Sequence, residues 1–284
     1  MLIKEICVIC VICAFFYVST TSTTSTTSTL PMVEICNLAS GSNGNCYYIG
    51  NDTDAVIVDA GIYHSRLLER MATAGLDIKK LRAIFISHEH HDHVGGSRVI
   101  SKRLMIPVYI TPRTLAAIHK KRQPADCKAL SVGSATDIRG IRVWTFQKSH
   151  DAADPVSFRV EIDGHNVGVM TDIGVADDKV KSQFSMCDAV FLESNYDLQM
   201  LRGGRYPYYL KQRVESEIGH LSNDDAFGLL RDCANPKLKH VILSHISADN
   251  NTADKIMERF ASLVDVYDIS LASRYECGKV LRLE

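Results

Sequence analysis

The segment SHEHHDHVGG, residues 87–96, places His88, His90, Asp92 and His93 within a short stretch of chain. Imidazole and carboxylate are the donors that suit zinc, iron or manganese. They are poor core formers, because a buried polar group needs a partner. In an extended segment His88 and His90 project the same way and can share one ion. Asp92 and His93 lie past a turn and can reach a second. The alternative, a solvated polar loop, accounts poorly for four donors that follow the apolar run AIFI (83–86) directly. A catalytic metal takes three or four donors and keeps a position open, so this loop needs help from elsewhere. His150 in FQKSHDAADP, Asp172 in MTDIG and His245 in LSHIS each follow an apolar run. Taken singly, each is as readily structural as ligating. Together with the first loop they give seven candidate ligands for a di-metal site, with a carboxylate able to bridge.

These donors need a scaffold that brings strand ends together. From Val33 the chain alternates short β-rich runs with amphipathic segments. Strands are expected at 33–37, 46–50, 55–58, 83–86, 108–110, 141–146, 156–162, 166–170, 189–192 and 240–244. Helices are expected at 65–74, 96–104, 112–121, 177–183, 222–233 and 252–259. The class is α/β. Several strands follow one another without a helix between them, which excludes a simple doubly wound sheet. Candidate ligands at the ends of buried strands are where an α/β sheet gathers its site. Residues 32–284 read as one domain.

The order HxHxDH, then a His, an Asp and a His at strand ends, resembles the metallo-β-lactamase fold, a four-layer αβ/βα sandwich of two mixed sheets. The resemblance implies that His88, His90 and His150 hold one metal, that Asp92, His93 and His245 hold the other, and that Asp172 bridges. It also implies that Asp59, in VDAG, supports the site from beneath. CNLASGSNGNCYYI, VDAG, SHEHHDHVGG, SHDAADPVSF, TDIG, LESNYDLQML, YPYYLKQRV, GHLSNDDA and LSHISADNN, from Cys36 to about Asn251, are together similar to the YycJ/WalJ group. That group is cytosolic and nuclease-like. The similarity implies a DNA phosphodiesterase or exonuclease working through a metal-bridging hydroxide. Two ions roughly 3.5 to 4 Å apart can clamp both the attacking and the leaving oxygens of a phosphodiester. The donors suit zinc and manganese alike.

Asp92 and His220 are the candidate catalytic residues. His220, in GHLSNDDA, stands where the tRNA 3′-processing endonuclease has a histidine assigned to proton donation or phosphate contact. The competing reading makes it a helix-entry residue, with Ser222 as N-cap and Asp225 completing a capping box. Lys211 and Arg213 could contact phosphate oxygens, with Arg202 and Arg205 nearby. Tyr206, with Tyr208 and Tyr209, could stack on the bases of a single strand. A solvated basic loop explains these residues equally well. Ser40–Asn45 either presents N–H groups to phosphate or forms a tight turn. His64, His91, His119, His165 and His240 carry no motif.

Composition limits the remaining choices. There are 32 Lys plus Arg against 33 Asp plus Glu, a formal charge of −1, so no global positive field recruits nucleic acid. Rival functions are a small-molecule hydrolase of the same fold, of thioesterase or lactonase type, and a non-catalytic regulatory protein with a decayed site. The full ligand set argues against decay. Asp172 follows His150 by 22 positions, which leaves no room there for an RNA-binding arm. Ile6–Val18 is uncharged and Ser19–Thr29 is only Ser and Thr. Met32 is therefore read as the start, with residues 1–31 an upstream extension; a signal or anchor and a loose tail are the alternatives. The expected location is cytoplasmic, or secreted or anchored if the tail is a true signal, and no stable membrane partner is expected. The cysteines outside the tail are read as reduced thiols.

Overall fold

The protein, described here from a computed structural model, is defined over residues 32–283. The expectations for residues 1–31 fall outside that range. Two seven-stranded sheets are built in chain order. The first contains β1 (Val33–Ala39), β2 (Cys46–Gly50), β3 (Ala55–Val58), β4 (Leu81–Phe85), β5 (Val108–Ile110) and β6 (Cys127–Ala129). The last strand of the chain, β14 (Leu281–Leu283), pairs antiparallel with β1 at its edge. The second contains β7 (Ala135–Ile138), β8 (Ile141–Gln147), β9 (Val156–Ile162), β10 (His165–Met170), β11 (Ala189–Glu193), β12 (His240–Ser244) and β13 (Asp268–Leu271).

Side-chain alternation explains the layering. Along β2 and β3, Tyr47, Ile49, Val56 and Val58 face the second sheet, while Tyr48 and Ile57 face outward. Along β11 and β12, Phe191 and Ile242 enter the same inter-sheet core, while Val190, Leu192, Val241 and Leu243 turn the other way. Every side chain in this set is buried, so strands that are covered on both faces read as continuous apolar runs. The outer face of the first sheet is covered by α1 (His64–Thr73) and α3 (Ser97–Leu104) through Leu67, Met71 and Ile100. The outer face of the second is covered by α5 (Asp178–Phe184), α8 (Asn223–Cys233) and α9 (Ala253–Phe260) through Phe184, Leu230 and Phe260. Helix, sheet, sheet, helix is the expected αβ/βα four-layer sandwich.

Strands β3 to β6 run parallel, as do β10 to β13. Their carboxyl ends supply Asp59, the 87–93 loop, Asp172, Glu193 and His245 to one edge of the sandwich. A one-turn helix, α2 (His91–Val94), carries Asp92 and His93; α4 (Pro112–Ala117) lies beyond β5. The periodicity gives no helix between β11 and residue 222, yet the structure has α6 (Leu198–Gly203) and α7 (Tyr208–Glu215) there. Leu210 and Val214, four apart on α7, pack with Tyr196 and Leu201 in a small separate cluster. That stripe is too narrow to stand out among tyrosines and charges. Edge strands β6, β7, β13 and β14 are also beyond the reading, being three or four residues long and only partly buried.

The six described cysteines are free thiols. Burial pushes the thiols of Cys36 and Cys187 up to about 12, so neither is a nucleophile at neutral pH. No helix among the described residues is long and apolar enough to cross a membrane.

The inter-sheet core depends on large rings, with Tyr47 and Phe191 5.0 Å apart between centroids. Phe191→Ala should destabilise the metal-free chain by about 3 to 5 kcal/mol in equilibrium denaturation; a loss below about 1 kcal/mol would show that the sheets do not depend on this contact.

Candidate metal centre

Three residues at strand ends share an unusual backbone. Asp59, Asp172 and His245, following β3, β10 and β12, have φ of 60°, 55° and 54°. A non-glycine residue in the left-handed region costs on the order of 1 to 3 kcal/mol and persists only where its surroundings fix it. Here it ends the strand abruptly and turns each side chain into the cleft between the sheets. Glycines allow the loops to close over one another. A Cβ on Gly61 would lie 1.7 Å from the Asp92 carbonyl oxygen, and one on Gly96 would lie 1.9 Å from that of Ile62. VDAG and HVGG therefore need glycine so that α2 can dock against the end of β3.

The converging side chains form overlapping groups with donor atoms within 4.8 Å of one another. One is His88, His90 and His150. Another is Asp92, His93 and His245. Asp172 joins His88 and His93 in a third and Glu193, His220 and His245 in a fourth. Its Oδ2 is 3.2 Å from His93 Nε2, while its Oδ1 is 3.5 Å from His245 Nδ1 and 3.9 Å from His150 Nε2. Asp172 thus stands between the two groups that the resemblance assigns to separate ions.

Three of the rings are held by their far nitrogen. His150 Nδ1 lies 3.0 Å from the Gly219 carbonyl oxygen, which fixes the proton there and leaves Nε2 as an acceptor. His93 Nδ1 lies 2.7 Å from Asp59 Oδ2. Asp59 also accepts from Ser87 N and Ser87 Oγ, each at 2.9 Å, so the acid beneath the site holds the strand end and the ring together. His245 Nδ1 lies 2.9 Å from Glu193 Oε1. The remaining atoms, His150 Nε2, His245 Nε2 and Asp172 Oδ2, are buried without a hydrogen-bond partner. Unpaired buried acceptors are expensive. Each belongs to one of these donor groups, and divalent cations held there would satisfy them. The residues present therefore fit divalent metal.

The charges divide the site in two. Burial pulls His88 down and holds His150 at about 4, so both rings are neutral with a free lone pair. Burial also opposes charge on His93 and His245, but carboxylates outweigh it. Asp172, Asp59 and Asp92 raise His93, and Asp172, Asp92 and Glu193 push His245 up to about 10. Burial acts against the ionised forms of Asp172 and Asp92, yet neighbouring imidazoles keep both well below the usual carboxylate range.

Sequence reasoning misses Glu193. It is fully buried at the end of β11 and accepts from Ile173 N at 2.7 Å and Leu221 N at 3.1 Å, with His220 Nδ1 and His245 Nδ1 both 2.9 Å from Oε1. Asn45 and Lys148 are missed as well. Asn45 Nδ2 lies 3.3 Å from Asp92 Oδ2, and the Lys148 ammonium donates to Thr171 O at 2.7 Å inside the cleft wall. For Glu193 the available signal was an acid ending a fully apolar strand, AVFLE. For the other two there was none.

A pocket of about 260 Å³ opens over these groups, and His90, His150, His220, His245, Tyr206 and Arg213 are on its walls. His220 meets both of its readings: Ser222 caps α8 by accepting from Asp225 N at 3.1 Å, and His220, two residues earlier, lines the pocket. Arg213 reaches the pocket and pairs with Asp151 at 2.5 Å. Lys211 does not reach it. Two residues apart on a helix point about 200° apart, so the Lys211 ammonium donates instead to Arg202 O at 2.8 Å, in a separate recess with Tyr208 and Glu215. Tyr209 is exposed, Arg202 pairs with Glu215, and Arg205 is at the surface. The Ser40–Asn45 loop is a turn whose Gly41, Gly44 and Asn45 amides are used internally. Of the histidines without a motif, His91 and His119 are exposed, His64 and His165 are half-buried, and His240 lies 2.8 Å from Asp268.

A β-lactamase superfamily domain matches residues 54–246. Exodeoxyribonuclease YycJ of Bacillus anthracis is 36% identical over 217 residues, covering 75% of this chain and 82% of the relative. Exodeoxyribonuclease WalJ of Streptococcus pneumoniae is 31% identical over 220 residues, covering 75% and 81%. Zn(2+)-bound PqqB from Methylobacterium extorquens superposes with a TM-score of 0.67 at 14% identity, over 88% of this chain and 99% of that one, and shares the fold. A two-sheet sandwich with a His/Asp pocket at its strand ends is the architecture of a metal-dependent hydrolase. The chain belongs to the β-lactamase superfamily and, within it, to the family of the YycJ and WalJ relatives.

The charge division carries a prediction. His93 and His245 have raised values, so both are protonated at pH 7 in the metal-free fold, and a ligating imidazole must be neutral. Metal loading should release protons and tighten as pH rises toward the His245 value of about 10. Calorimetry in buffers of different ionisation enthalpy reads this directly. An apparent binding enthalpy that is the same in every buffer would contradict it.

Proposed function

We propose that this chain is a nuclease that hydrolyses phosphodiester bonds of DNA with two divalent ions, zinc or manganese. The observation that carries the reading is the position of Asp172 between two donor groups beneath a pocket with Arg213 at its mouth. The names of the two bacterial relatives supply the substrate class. In this reading His88, His90 and His150 hold one ion, and Asp92, His93 and His245 hold the other. Asp172 serves both. Bound ions would supply Lewis-acid polarisation of a phosphoryl oxygen and would acidify a nucleophilic water.

The chain's own groups then have separable roles. Arg213 offers guanidinium N–H groups to a non-bridging phosphate oxygen, a geometry that suits arginine. Asp151 keeps that guanidinium aimed at the pocket while no substrate is present. Glu193 orients the His220 ring through Nδ1. The Nε2–H of the ring is then the proton given to the departing oxygen. Tyr206, with its hydroxyl 3.3 Å from Asp249, gives the pocket an aromatic wall for a base. Exonucleolytic action and a cytoplasmic setting belong to the same reading.

The test is hydrolysis of labelled single- and double-stranded DNA by the full chain with manganese or zinc. His90→Ala removes one donor from the first group and should lower the rate by at least about 10³-fold, and a chelator should abolish the activity. Undiminished cleavage by His90→Ala would refute the metal assignment. Hydrolysis of thioesters or lactones without any of DNA would transfer the chain to the small-molecule class.

A further inference from the structure

A second cleft, of about 330 Å³, lies on the far side of the turn at Ser42 and Asn43. It shares Ser42 and Asp92 with the site pocket, so the two are contiguous. Arg66, Arg70 and Arg274 line it, together with Tyr63 and Tyr275.

Two properties set it apart from an ordinary solvated surface. The first is positive charge without a counter-ion. Arg70 is only 8% exposed, and its guanidinium donates to the carbonyl oxygens of Leu38 at 2.5 Å and Tyr275 at 2.7 Å. Arg274 donates to Ser42 Oγ at 3.2 Å and to Ile246 O at 3.3 Å. Neither has a carboxylate within ion-pair distance among the described residues. Arg66 pairs only with the exposed Glu69, a contact that solvent screens. The single carboxylate on the cleft wall, Asp92, belongs to the candidate metal site. A buried guanidinium satisfied only by carbonyls keeps its full charge and attracts an anion from the cleft.

The second property is aromatic. Tyr63 is 76% exposed and Tyr275 is 74% exposed. The Tyr275 carbonyl is gripped by Arg70, so this loop is fixed to α1 instead of trailing in solvent. Exposed rings beside unneutralised guanidinium groups form the combination that holds a single strand, with bases on the rings and phosphates on the charges.

We propose that this cleft binds the part of a single DNA strand adjoining the nucleotide in the site pocket, with Arg66 and Arg274 on its phosphates and Tyr63 and Tyr275 against its bases. This rests on the nuclease reading above. Arg70 supplies field and holds Tyr275 in place without touching the strand. The negatively charged backbone then leaves the metal centre over Ser42 into a positively charged channel.

The test is equilibrium binding of labelled phosphorothioate deoxyoligonucleotides, which resist cleavage, to the metal-loaded full chain at several salt concentrations. Strands of about 12 nucleotides are compared with strands of about 3. The double variant Arg66→Ala/Arg274→Ala should weaken binding of the long strand about tenfold and flatten its salt dependence by roughly 1.4 in logarithmic slope, for two lost phosphate contacts. Tyr275→Ala should weaken the long strand about fivefold and leave the salt slope as it was. The short strand should change less than the long one throughout. If the arginine pair proves unstable, Tyr275→Ala carries the test, because its side chain is in solvent. Long-strand affinity and slope within about twofold of wild type in folded variants would overturn the proposal and leave the nuclease reading standing. Wild-type protein that binds no DNA would overturn both. Wild-type protein whose binding the variants weaken, but which cleaves nothing, would sink the nuclease reading and retain the cleft as a strand-binding site.

Discussion

Asp59, Asp172 and Glu193 are almost wholly removed from water, with Asp92 at the edge of the same cleft. So much negative charge in one low-dielectric place has to be matched by positive charge. The chain offers imidazole rings and Lys148, and in the metal-free fold His93 and His245 become cations to meet the need. That solution is incomplete, because His150 Nε2, His245 Nε2 and Asp172 Oδ2 remain without partners. In the proposed reading divalent ions would complete it, replacing protons on one group of rings and using the neutral lone pairs of the other.

The rest of the fold follows from the need to gather these carboxylates. Two sheets with parallel strands deliver their carboxyl ends to one edge, and a layer of helices on each outer face lets buried strands end there dry. Left-handed residues at Asp59, Asp172 and His245 then turn the side chains inward. Glycine at 61 and 96 lets α2 approach the end of β3. Glu193 ties the two halves of the site together, since one carboxyl orients both His220 and His245 and also accepts two backbone amides. With His93, His150, His220 and His245 held by Asp59, Gly219 and Glu193, the pocket is preorganised for metal and substrate.

What could be read from the sequence was local. HxHxDH puts its donors close in the chain, and the apolar runs VGVM and VILS mark strands whose ends carry the candidate ligands Asp172 and His245. Alternation supported the class, and the combined motifs supported the αβ/βα sandwich. Features that depend on distant segments were not legible. Glu193 acts through partners at 173, 220, 221 and 245, none of which its own neighbourhood announces. Lys211 and Arg213 look alike in LKQR, but once α7 forms they point to different faces, and only Arg213 meets the pocket. The edge strands and α7 have too few buried residues to leave a periodic trace. The cleft beyond Ser42 joins α1 to residues 274 and 275, more than 200 positions away, and no motif links them.

The central claim is that the buried carboxylates exist to be neutralised by two divalent ions. Native mass spectrometry of the full chain, purified gently and supplied with zinc or manganese, counts them directly. The account predicts two ions per chain, falling to one in a folded His88→Ala variant. A wild-type chain that retains its fold and takes up one ion or none would contradict it.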